Sequence, residues 1–128
     1  MMIGILCFLM VSLAPCPNKP NCVSSQSEDR AHAIAPFPIY KSPQESLGII
    51  ASIIRSLPRT VIVTETPEYL HAEFTSKIFR FTDDVEFLYN PSKNVIDVRS
   101  ASRVGYGDLG VNRKRVEALH KAYIAKTL

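Results

Sequence analysis

From Thr60 onward apolar residues recur at every second position, and β-branched and aromatic side chains replace the helix formers that precede them. No other feature constrains the fold as strongly, because successive strands of this pattern make a sheet with one apolar and one polar face. The breaks fall at Pro67, at Asp83-Asp84 and over Asn90-Pro91-Ser92-Lys93-Asn94. Strands are therefore expected near 60–66, 69–76, 85–90 and 94–100, with Phe79-Arg80-Phe81 extending the second or bridging to the third. Short connections between consecutive strands make the sheet antiparallel.

A helix is expected on each side of this block. Ser42-Pro43-Gln44-Glu45 places Ser at the N-cap, Pro at the first helical position and Glu at the third, a capping box with a favoured proline. Leu47, Ile50, Ile53, Ile54 and Leu57 follow at helical spacing, and Pro58 stops the segment. Beyond the strands, Val116, Leu119 and Tyr123, flanked by Ala118 and Ala122, predict a second amphipathic helix over 111–126. Two helices can cover only one face. The expected fold class is α+β, a four-stranded antiparallel sheet with two helices packed on one face in a two-layer sandwich. In a chain of 128 residues this makes one domain, over 42–128.

Residues 1–15 begin with an apolar run that no Lys or Arg precedes. It is shorter than the roughly 20 residues that cross a bilayer, so it reads as an export signal or short anchor through which the chain associates with a membrane, the rival being a buried N-terminal element or a misplaced start codon. An exported or membrane-anchored protein of the bacterial periplasm or envelope is expected. Residues 16–41 then hold Cys16 and Cys22 around a Pro- and Asn-rich loop, followed by an extended linker or a strap over the domain. Export would oxidise that pair to a disulfide. Lipidation at Cys16 is the rival, with Leu13 three residues before it as in lipoprotein signals, but Pro15 suits the cleavage point poorly. Two cysteines with no second pair do not make a structural zinc site.

Alternation also sorts the chemistry. In the second strand Leu70, Ala72 and Phe74 turn to the helices, and Tyr69, His71, Glu73 and Thr75 turn away. The third strand opposes Val85, Phe87 and Tyr89 to Glu86, Leu88 and Asn90, and in the fourth Ile96 and Val98 send Asp97 and Arg99 to the polar face. That face collects His71, Glu73, Glu86, Asp97 and Arg99, with Asp84 near them and Arg103 past the strand end. A histidine among carboxylates suits acid–base or metal chemistry, as in a hydrolase. The plainer reading is a solvated face laced with cross-strand ion pairs.

The turn from Arg99 to Arg115 is the other candidate. Its helix opens with Arg113-Lys114-Arg115, against the positive end of the macrodipole, so something negative is expected beside it. Small residues and free backbone N–H groups next to arginines suit an anion. The expected ligand-binding residues are Arg99, Ser100, Ser102, Arg103, Asp108, Asn112, Arg113 and Arg115. Alternatively the turn is self-contained, with Asp108 capping the helix and accepting Arg103 or Arg115. His32 and His120 are expected to be surface or packing residues. A net charge of +3 spread among acidic residues argues against nucleic acid as a partner. No P-loop, dinucleotide fingerprint, nucleophile elbow or His-Glu-x-x-His pair is present, and no cofactor or metal is expected.

Three stretches carry a resemblance. They are Cys16-Pro17-Asn18-Lys19-Pro20-Asn21-Cys22-Val23-Ser24-Ser25; Leu70-His71-Ala72-Glu73-Phe74 with Phe79-Arg80-Phe81-Thr82-Asp83-Asp84-Val85-Glu86-Phe87; and Arg99-Ser100-Ala101-Ser102-Arg103-Val104-Gly105 through Arg115. In this order they resemble the domain-of-unknown-function family 1499 of bacterial and plastid proteins. The resemblance implies an envelope or lumenal domain behind a hydrophobic N-terminal segment, and it implies no reaction and no catalytic residue. The expected function is a non-enzymatic binding or assembly module of the cell envelope with an Arg-rich anion-binding turn, its partner an anionic ligand or an envelope protein. The rival is a hydrolase or metal-dependent enzyme using the face of His71, Glu73 and Glu86.

Overall fold

A computed structural model describes residues 12–128. Most of the expected signal or anchor, residues 1–11, lies outside the described residues. The elements are β1 (Cys22–Ser24), β2 (Phe37–Pro38), α1 (Pro43–Arg55), β3 (Thr60–Glu65), β4 (Tyr69–Thr75), β5 (Thr82–Asn90), β6 (Val95–Ser102) and α2 (Val111–Thr127). The fold is α+β, but the sheet has six strands rather than the four expected. Strands β3 to β6 form an antiparallel meander in the order β6-β5-β4-β3. The two additional strands come from the segment read as a linker or strap, and both pair antiparallel with the free edge of β6. Strand β1 runs beside Arg99–Ala101 and β2 beside Val95 and Ile96, so two short pieces share one edge.

Two further expectations are corrected. Asp83-Asp84, expected as a break, lies inside β5, and Phe79-Arg80-Phe81 belongs to the turn before it rather than to a strand. The aspartates tolerate a strand because alternation sends them to opposite faces and each meets an arginine there. Arg115 reaches Asp83 at 2.8 Å, and Arg103 reaches Asp84 at 2.8 Å. Tertiary ion pairs thus override a poor strand propensity.

Helix α1 starts as its capping box predicts. Ser42 is extended, and its Oγ accepts the Glu45 N–H at 3.0 Å. Leu47, Ile50, Ile53 and Ile54 are buried along one stripe, whereas Leu57 falls past the helix end and is partly exposed. The core is a single cluster in which the stripe meets Val116, Leu119 and Tyr123 of α2 over one face of the sheet, carrying Leu70, Ala72, Val85, Phe87, Ile96 and Val98. Phe37 of β2 closes one end of the core, with its ring 5.4 Å from those of Phe87 and Tyr123. Among the described residues no helix is long and apolar enough to cross a membrane.

Candidate functional site

Strand register sets out the face turned away from the helices in rows. One row runs Thr64, His71, Glu86, Arg99, Ser24, and the next Val61, Glu73, Asp84, Ala101, Cys22. Diagonal neighbours then pair. His71 Nε2 and Asp84 Oδ1 lie 2.8 Å apart. Arg103 forks over Asp84, at 2.8 and 2.9 Å, and donates to Glu73 at 2.6 Å. Tyr69 donates its hydroxyl to Glu86, whose other oxygen stands 3.8 Å from Arg99. The Arg103 guanidinium, outweighing partial burial, holds the Asp84 carboxyl below the usual carboxylate range, with His71 adding to the effect. Burial, with Glu86 beside it, pushes the Tyr69 hydroxyl well above the ordinary phenol range.

Half of this face is not open. Residues 12–16 and 25–26 lie over its β1–β6 side, where Asp97 is only 3% exposed. Its carboxylate accepts Ser25 Oγ at 2.7 Å, Gln26 Nε2 at 2.9 Å and Asn90 Nδ2 at 2.9 Å, so both oxygens are engaged. Asp97 therefore stands apart from His71, Glu73, Asp84 and Glu86. Arg99 reaches the Pro15 carbonyl at 3.3 Å, while its Nε is buried without a partner. The cover is fastened by the Cys16–Cys22 disulfide and by His32, which is buried between Asp29 at 2.9 Å and the Lys19 carbonyl at 2.8 Å. Sequence reasoning missed His32 as a pin, since a lone histidine in a polar segment carries no periodic signal.

The eight residues expected to line an anion site divide among four surroundings. Arg99 and Arg103 stand on the polar face. Ser100, Ser102, Asn112 and Arg115 lie on the opposite, helix-bearing face, where the Asn112 side chain is fully buried and accepts Ser100 Oγ at 2.6 Å. Arg115 packs over the Phe74 ring, bonds Asn112 Oδ1 at 2.7 Å and pairs with Asp83. Arg113 donates to the carbonyls of Ala33 and Ala31, holding α2 to the segment before β2.

Asp108 is the cap of α2. Its Oδ1 accepts the Gly110 N–H at 2.8 Å, and its Oδ2 accepts the N–H and Nδ2 of Asn112 at 3.1 and 2.7 Å. Burial pushes this carboxyl up, but the hydrogen bonds outweigh it and leave it below the usual range. Gly110 at the N-cap has φ of 79°, a left-handed backbone that favours glycine. The basic first turn is thus answered from within the chain: a carboxylate on the helix end, Asp83 for Arg115 and carbonyls for Arg113. Neither Arg103 nor Arg115 goes to Asp108.

His71, Glu73, Asp84 and Glu86 line none of the three best-formed hollows among the described residues. Among the described residues, no three His, Cys, Asp or Glu side chains are grouped to hold a metal ion. Residues 12–123 match the family described as Protein of unknown function (DUF1499). The chain belongs to this family. The match takes in the disulfide loop, the ion network and the α2 cap together, so the family covers the whole sheet and nearly all of α2. No curated protein matches the chain.

Proposed function

We propose that this member of the DUF1499 family is a non-enzymatic binding or assembly module of the cell envelope. In this reading the ion network stiffens the sheet, and contact is made by the turns at one sheet end. The observation that carries it is charge balance. Arg99, Arg103 and Arg115 each face a carboxylate and Arg113 is held by backbone carbonyls, so among the described residues only Lys114 of the Arg-rich turn is left without a partner to offer a free anion. Meanwhile Ile78, Phe79, Phe81, Val104, Tyr106 and Leu109, on the turns after β4 and β6, stand in solvent. The disulfide supports an oxidising compartment.

The rival hydrolase reading has the His71–Asp84 pair in its favour. Against it, both oxygens of Asp84 are already taken by the Arg103 fork. A photo-crosslinking phenylalanine analogue at position 79, compared with one at position 71, tests the module in isolated envelope material. Adducts are expected from 79 and not from 71. Adducts from 71 alone, or turnover of p-nitrophenyl acetate or phosphate that His71→Asn abolishes, would reject it.

A further inference from the structure

Two turns leave the same end of the sheet. Residues 76–81 join β4 to β5, and residues 103–110 lead from β6 to α2; the Arg103 N–H donates to the Thr82 carbonyl at 3.2 Å, so they start side by side. Their apolar side chains point outward. Ile78 is 80% exposed, Phe79 72% and Leu109 95%, and the rings of Phe79 and Phe81 stack on each other 5.6 Å apart without entering the core. Leu109 is the most telling. Its φ of 56° is left-handed, a conformation that costs a leucine energy, and it buries nothing in return. Neither packing nor backbone preference accounts for leucine there.

The charges around these turns are one-sided. Arg59, Lys77 and Arg80 form no ion pair among the described residues. The carboxylates at this end, Glu73, Asp83, Asp84 and Asp108, are all engaged by arginines or by the α2 cap. What remains is an apolar, aromatic tip ringed by bare cations. The tip is built from two turns whose apolar side chains stand in solvent. Aromatic side chains and flanking basic ones suit the boundary between acyl chains and headgroups.

We propose that the sheet end bearing Ile78, Phe79, Phe81, Val104, Tyr106 and Leu109 docks on the surface of an anionic lipid bilayer. This rests on the module reading above and names its partner. Ile78, Phe79, Phe81 and Leu109 enter the interface, while Arg59, Lys77 and Arg80 meet the headgroup phosphates. The contact is separate from residues 12–15, which lie in the cover of the polar face.

The chain has no tryptophan, so Phe79→Trp in the full chain is a local reporter. The probe is vesicles of phosphatidylcholine with or without phosphatidylglycerol, some with brominated acyl chains. Emission of the Phe79→Trp protein is expected to shift to the blue and to be quenched by brominated chains when phosphatidylglycerol is present. A Leu128→Trp reporter, at the far end of α2, is expected to respond to neither. Lys77→Gln with Arg80→Gln should weaken the response about 25-fold, at about fivefold per basic residue near an anionic surface, and salt should weaken it further. No shift at residue 79, or equal quenching at 79 and 128, overturns the proposal. So does a shift that appears without lipid and tracks self-association. Adducts from residue 79 to an envelope protein, with no quenching by lipid, would reject the lipid and leave the module reading standing.

Discussion

Asn112 ties together more of the chain than any charged residue does. Its Oδ1 accepts from Ser100 and Arg115, and the two hydrogens of its Nδ2 are shared among Asp108 at 2.7 Å, Ser102 at 2.9 Å and the Asn21 carbonyl at 3.2 Å. Strand β6, the α2 cap and the chain just before β1 therefore meet on one amide. Asn112→Ala removes it and leaves a buried hydroxyl and carboxylate short of partners. A loss of about 2–4 kcal/mol is expected, measured by urea unfolding, with Ser100→Ala costing less. The sequence marked Asn112 as a binding residue because a small amide at a glycine-rich helix start looks exposed. Its burial comes from a carbonyl 91 residues away, which no local pattern records. The aspartates of β5 were misread for the same reason, since the arginines that neutralise them arrive from other elements.

At the scale of elements, legibility followed length. Helix α1 has 13 residues with a stripe along them, a cap just before and a stop just after, and β3 to β6 each hold enough alternation to reveal their faces. Strands β1 and β2 have three and two residues, too few for a period, and Pro38 points away from a strand. A proline is tolerated there because β2 lies at the sheet edge, where its missing N–H leaves no ladder incomplete. The loop before β1 was legible in composition and is held by Cys16–Cys22, closing a separation of six residues. Cys16→Ser with Cys22→Ser is expected to cost about 2 kcal/mol, read as a lowered urea midpoint equal to that of the wild-type chain in reductant. A larger loss would mean that the cover over Asp97 detaches as well.

For the whole molecule, acid is the condition that tests the ion network. The carboxyls of Asp84 and Asp108 are held below their ordinary range in the folded chain, so each stabilises the fold where it is ionised. That contribution is complete above the unfolded aspartate value of about 4 and fades as the pH falls through the lower folded values. The urea midpoint should therefore decline below about pH 4. Asp84→Asn should be less stable at neutral pH and converge with the wild type in acid. Parallel curves for the two proteins would show that Asp84 contributes nothing to the acid limb. The α+β class and one-sided core were legible because alternation and helical spacing are local. The candidate site was legible only as a set of residues: sequence assembled one anion-binding turn from side chains that the fold divides between two faces of the sheet.

The shared edge of β6 has a consequence for the order in which the chain acquires its structure. Strands β1 and β2 are synthesised well before their partner, β6. Until β6 exists, Val23 and Phe37 have no sheet to complete, and Cys16 and Cys22 lie in a segment with no fixed seat. Contacts so distant in sequence are slow to form. The meander and its helices can assemble without β1 and β2, which need β6 before they have an edge to join.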